Sequence, residues 1–172
     1  MNALGTLFYT EIMDYNQAAE WFKKASEKGC TRALNNLGVC YEQGHGVPKD
    51  YDQAFALYKE AADKGYQEAM KNLGSLYFQN ARATKNEAMF AESAKWFRKL
   101  QMLDPDSATP YFYLGQMHEN GCGAARDMKS AFQYYRRAAK LDHVEALVKC
   151  GDFIYSGKGV TTFGREKIES SK

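Results

Sequence analysis

Any chemistry in this chain would have to come from its three histidines, its four cysteines or a glycine-rich loop. The loop reads Gly44-His45-Gly46-Val47-Pro48-Lys49-Asp50. A phosphate cradle needs G-x-x-x-x-G-K-[ST] or G-x-G-x-x-G after a strand, so that backbone amides and a helix N-terminus meet the phosphates. This loop follows a helical pattern and lacks the third glycine, so it reads as a structural turn. His118 and Cys122 lie four residues apart and could present two metal ligands on one helical face. A structural zinc site takes four ligands, so the pair reads as a packed ring and an incidental loop thiol. His45 and His143 have no matched Ser, Cys or acidic partner, and no nucleophile elbow or H-E-x-x-H occurs. The sequence points to no catalytic residue, no cofactor and no metal, and reads as non-enzymatic.

Cys30, Cys40, Cys122 and Cys150 include no pair at zinc-ribbon or redox spacing. Cys30 and Cys40 fall on one predicted helix, and ten residues of helix rise about 15 Å, far beyond disulfide reach. They read as free, mostly buried thiols in a reducing compartment, which makes the cytoplasm the expected location and leaves a secretory or organellar lumen open. The N-terminus lacks the basic region of a signal peptide. Lys and Arg number 23 against 21 Asp and Glu, a net charge of +2. That balance gives no clustered basic footprint for nucleic acid. No apolar stretch reaches 18 residues, so no membrane insertion is expected. Hydrophobic residues at 45% and aromatics at 14% exclude a disordered chain.

The elements that position these residues follow from 14 glycines set against only 3 prolines. Gly5, Gly38, Gly74, Gly115 and Gly151 head the same frame, spaced 33, 36, 41 and 36 residues apart. Each repeat holds two stretches of helical period. In the second repeat these are Ala33, Leu34, Leu37, Gly38 and Tyr41, then Ala54, Phe55, Leu57, Tyr58, Ala61 and Ala62. No strand alternation occurs. The product is an all-α stack of antiparallel helix pairs, an α-solenoid of four repeats plus the first helix of a fifth.

A glycine inside a helix costs about 1 kcal/mol against alanine, so its recurrence implies a close helix crossing. Gly-x-Gly after the first helix supplies the C-cap and reversal. Asp50 with Gln53, and Asp14 with Gln17, have capping-box spacing. The pairs Trp21-Phe22, Trp96-Phe97 and Tyr134-Tyr135 are large enough to fill the seam between repeats. The third repeat lacks both loop glycines, has Asn80 to Lys85 in their place, and is expected to carry a longer connection.

These residues resemble the Sel-1-like repeat family, cousins of the tetratricopeptide repeats. Its pattern runs approximately A-x4-L-G-x-L-Y-x2-G-x-G-V-x2-D-x2-K-A-x2-W-Y-x-K-A-A-x2-G. Residues 33–65 follow it almost throughout and 110–140 follow it well. The resemblance implies a right-handed superhelix over one repeat domain, 1–160, with units near 1–30, 31–66, 67–107, 108–143 and a partial 144–160. Residues 161–172 read as a polar, disordered tail. The resemblance also implies an adaptor that binds other proteins or peptides. A regulatory repeat domain or fragment of a larger enzyme such as a kinase is the alternative, because some members carry the repeats beside a catalytic domain. The chain reads as cut at both ends, and Phe153 with Ile154 is expected to expose an unpaired face that favours self-association.

In helix-pair solenoids the first helix of each pair lines the concave surface. Relative to the frame glycine, positions −3, −2 and +1 vary most. That assigns Asn35, Asn36, Lys71, Asn72, Tyr113, Gln116 and Lys149 as candidate partner-binding residues. Asn36 and Asn72 are equivalent, and a ladder of asparagines, each both donor and acceptor, could clamp a peptide backbone. The bland alternative is solvated or helix-bridging amides.

Overall fold

The computed structural model describes residues 1–159, so the expectation for 161–172 lies outside them. Among the described residues there are nine α-helices, one π-helical segment and no strand. The order is α1 (Asn2–Leu7), the π-helical segment (Phe8–Ile12), α2 (Tyr15–Glu27), α3 (Thr31–Gln43), α4 (Tyr51–Asp63) and α5 (Gln67–Thr84). Then follow α6 (Glu87–Leu103), α7 (Ala108–Asn120), α8 (Met128–Ala139) and α9 (Val144–Ser156). The residues form two compact units, Met1–Leu73 and Gly74 onward.

Each helix pair is built on one contact, a ring from the second helix laid over the frame glycine of the first. A Cβ on Gly38 would lie 2.7 Å from Cε1 of Tyr58, and one on Gly115 would lie 2.9 Å from Cδ1 of Tyr135. Gly5 meets Phe22 at 2.7 Å and Gly74 meets Phe97 at 2.9 Å in the same way. No methyl group fits at those separations, so glycine's helix penalty is offset by packing an aromatic ring. A buried small residue stands four positions before each ring: Ala18, Ala54, Ser93 and Ala131. Ser93 is 0% exposed, and its hydroxyl donates to the Gly74 carbonyl at 2.7 Å, which satisfies a group that burial would otherwise penalise. The second ring of each aromatic pair therefore fills the crossing within a repeat, not the seam between repeats.

The connections differ by repeat. In the second and fourth, Gly44 (φ 77°) and Gly121 (φ 73°) end α3 and α7 in the left-handed region. Asp50 then caps α4, its Oδ1 accepting from the Asp52 and Gln53 amides at 2.9 and 3.0 Å. The reciprocal half of the expected box is absent, because the Asp50 amide already donates to the Tyr41 carbonyl at 2.9 Å. Asp127 repeats this with the His118 carbonyl, also at 2.9 Å.

The third repeat has no longer connection. Helix α5 continues through Asn80 to Thr84, and the turn shrinks to Lys85 (φ 54°) and Asn86. Asn86 caps α6, accepting from the Ala88 and Met89 amides at 3.0 and 3.3 Å.

On α9 the frame changes again. Phe153 is buried against Phe132 and Tyr135, contrary to the expected exposure, whereas Val144, Leu147, Val148, Ile154 and Tyr155 are exposed. Gly151 has no described atom within 4 Å of a Cβ built on it, unlike the other four frame glycines.

Candidate functional site

In the second unit a cleft of about 400 Å³ opens on the first helices of the repeats. Helix α5 contributes Phe78 and, one turn later, Arg82; α7 contributes Gln116, Glu119 and Asn120; α9 contributes Lys149. Phe90 of α6 and Cys122 of the loop after α7 complete it. Phe78 and Phe90 meet edge to face at 5.5 Å as part of an apolar cluster with Ala81, Ala94, Phe97, Leu114 and Met117. The floor is therefore fixed by core packing and not by loop conformation.

The walls are polar. Both Glu119 oxygens accept from Lys149 Nζ, at 3.0 and 2.9 Å, and Oε2 also accepts the Tyr135 hydroxyl at 2.6 Å. Burial, then the Glu119 hydrogen bond and its charge, push the Tyr135 hydroxyl well above the ordinary tyrosine range. Lys149 lies over the Tyr135 ring at 5.8 Å. Asn120 Nδ2 donates to the Gln116 carbonyl at 2.8 Å. The Arg82 guanidinium lies over Phe78 at 6.0 Å. Burial, then the Glu87 carboxylate, raise the Cys122 thiol above its ordinary value, and the Arg82 guanidinium opposes them. These groups can hold and orient a ligand. None forms a nucleophile–base pair.

Of the seven residues assigned from sequence, the cleft contains Gln116 and Lys149. Tyr113 lies beside its floor, stacked on Phe97 at 4.7 Å and edge-on to Phe78 at 5.1 Å. The other four belong to the first unit. Lys71 pairs with Glu68. Asn72 Nδ2 donates to Asn35 Oδ1 at 3.0 Å, Asn35 Nδ2 to Asn36 Oδ1 at 3.5 Å, and Asn36 Nδ2 to Asn2 Oδ1 at 3.1 Å. The amides form a row, but they bond one another across three first helices, and Asn35 is buried. Sequence reasoning missed Phe78, Arg82, Phe90, Glu119, Asn120 and Cys122. A signal existed for Phe78 and Glu119: both stand four residues after a frame glycine, as does Glu42.

The histidines are placed by packing. His45 stacks on Tyr15 at 4.2 Å, and its Nδ1 lies 2.8 Å from the Tyr9 hydroxyl. His118 stacks on Tyr134 at 5.4 Å with Nδ1 3.2 Å from the Ala125 carbonyl. His143 stacks on Phe112 at 4.3 Å; its Nδ1 is 3.1 Å from Glu145 Oε2, without the direction of a hydrogen bond. Among the described residues no three His, Cys, Asp or Glu side chains converge on a metal position, and all four cysteines are free thiols. No described helix is long and apolar enough to cross a membrane.

The Sel1 repeat family model matches residues 1–30, 31–66, 67–100 and 111–143. A curated mouse relative, DAP3-binding cell death enhancer 1, is 37% identical over 164 residues, covering 77% of this chain and 32% of that protein. The chain thus spans about a third of the length of that relative. Among solved structures, c5321, a protective antigen of uropathogenic Escherichia coli with an SLR fold, superposes with a TM-score of 0.78 at 34% identity, over 92% of this chain and 34% of that one. A Sel1 repeat protein from Oxalobacter formigenes superposes with a TM-score of 0.75 at 30% identity, over 94% of this chain and 64% of that one.

Proposed function

Because the chain belongs to the Sel1 repeat family, whose repeats typically mediate protein interactions, we propose that it is a non-catalytic adaptor that holds a segment of a partner protein on its first-helix face. The observation that carries this reading is the cleft on α5, α7 and α9. It has a packed aromatic floor and polar walls, the composition of a recognition site. The mouse relative is named for binding DAP3, so a DAP3-type protein is the first partner to test.

The test places a photo-crosslinking amino acid at Gln116 and, separately, at the exposed Arg136 of α8. Each chain is then irradiated with purified DAP3-type protein and in extract from the source organism. The reading expects a discrete protein adduct at Gln116 that is absent at Arg136. Equal labelling at both positions, or none at Gln116 in the folded chain, would reject it.

A further inference from the structure

The third repeat breaks the frame where the cleft forms. Arg82 stands eight residues after its frame glycine, at the place held by Gly46, Gly123 and Gly159 in the second, fourth and fifth repeats. Those three glycines have positive φ and press on the backbone of a preceding second helix, at Tyr15, Phe90 and Met128. No side chain fits there. In the third repeat the helix runs on through this position, and a long cationic side chain enters the cleft instead.

Of the charged side chains that line the cleft, Arg82 alone has no ion-pair partner among the described residues. Lys149 and Glu119 neutralise each other. Glu87 Oε2 accepts from the Gly123 amide at 3.2 Å. Among the described residues no carboxylate comes within ion-pair distance of Arg82. The Gln116 side-chain amide and the Asn120 side-chain oxygen make no hydrogen bond to a described residue either. The cleft thus offers one unpaired guanidinium, the Gln116 amide, the Asn120 side-chain oxygen and a phenylalanine floor.

We propose that this cleft binds an acidic peptide segment, with an Asp or Glu side chain paired to Arg82 and a neighbouring apolar side chain on Phe78 and Phe90. A guanidinium matches a carboxylate with two parallel N–H···O bonds. Pairing on an aromatic floor, partly shielded from water, strengthens that interaction over an exposed ion pair. The proposal rests on the adaptor reading and narrows the partner's chemistry.

The test uses the full chain and fluorescein-labelled octapeptides in which Asp or Glu flanks Leu or Phe at each short spacing, beside a matched set with Lys for the acid. Anisotropy should show saturable binding of acidic members, weakening with salt. Arg82→Glu should reduce that affinity about tenfold or more, the worth of one charge-assisted hydrogen bond, and should gain affinity for the Lys set. Arg82 is exposed on a helix surface, so circular dichroism should be unchanged in the variant. Bound acidic peptide should also slow alkylation of Cys122. Equal affinity for acidic and basic sets, indifference to Arg82→Glu, or no binding of any acidic member would overturn the proposal. A protein adduct at Gln116 that ignores the charge at position 82 would leave the adaptor reading standing while this one falls.

Discussion

Tyr135 donates a 2.6 Å hydrogen bond to Glu119, and Tyr58 donates one of the same length to Glu42 two repeats earlier. In the first and third repeats the ring over the frame glycine is Phe22 or Phe97, and the glutamate's position holds Tyr9 or Phe78. The two positions change together for a physical reason. A buried phenol needs an acceptor, and a carboxylate facing a bare phenyl ring would lose its solvation without gaining a partner.

Tyr58→Phe should therefore destabilise the chain by about 1.5–3 kcal/mol, the range for a hydrogen bond to a charged group. Glu42→Tyr alone should also destabilise. The double variant, which recreates the pairing of the first repeat, should be more stable than the sum of the two. A double-mutant cycle by urea denaturation measures that coupling.

The same two tyrosines set an alkaline limit. Burial, then the glutamate hydrogen bond and its charge, raise both hydroxyls above the ordinary value near 10. A raised folded pKa means the unfolded chain releases the proton first. The stabilisation is then complete below pH ~10 and shrinks as pH climbs above it. Denaturation midpoints from pH ~8 to ~11 should fall more steeply for the native chain than for Tyr58→Phe/Tyr135→Phe.

Adding one methyl group separates the frame glycines. Gly115→Ala drives a Cβ to within 2.9 Å of the Tyr135 ring, and overpacking of that kind costs about 1–3 kcal/mol. Gly151→Ala meets no described atom within 4 Å, so helix propensity sets the expectation and stability should rise by about 0.5–1 kcal/mol. Thermal denaturation of the two variants should move in opposite directions.

The amide row makes a structural prediction distinct from a binding one. Asn72→Ala leaves the buried Asn35 without its donor and should cost about 1–2 kcal/mol. Asn36→Ala breaks two weaker, half-exposed links and should cost less. Chemical denaturation gives the stabilities, and partner affinity measured on the same variants shows whether the row also serves a ligand.

Cys40 is buried, and its thiol is pushed up to about 12. Thiolate is the reactive form, so Cys40 should resist alkylation at neutral pH until the first unit opens. Time-resolved mass spectrometry should show it modified last among the four cysteines, with a rate that rises in step with urea.

The repeat frame was legible because its signals are local and recurrent: a glycine, a ring at a fixed offset, and aspartates at helix starts. Gln116 and Lys149 followed from register on the first helix. Asn35 did not, because register names a face but not the neighbour: Asn72, far along the sequence, is what turns that face into an interior. Arg82 was visible as a missing glycine. Its meaning depended on α5 running on through residues where a turn was expected, and on Phe90 arriving from the other side. The cleft arises where the repeat departs from its pattern, and pattern-reading is weakest there.

The row from Asn72 through Asn35 and Asn36 to Asn2 bears on a hazard peculiar to repeats. Units that look alike can dock in the wrong order during folding, because one apolar face accepts another almost indifferently. At the positions of Asn35 and Asn36 the fourth repeat has Phe112 and Tyr113, and the fifth has Val148 and Lys149. The two bonds between repeats join a residue two before one frame glycine to a residue three before the previous one, and Phe112 or Val148 at that acceptor position could not answer an amide. A stack that set the second or third repeat on the fourth or fifth would seal Asn36 or Asn72 against hydrocarbon, at the cost of an unmet donor. The two bonds between repeats thus disfavour that mis-ordering, much as one polar residue sets register in a coiled coil.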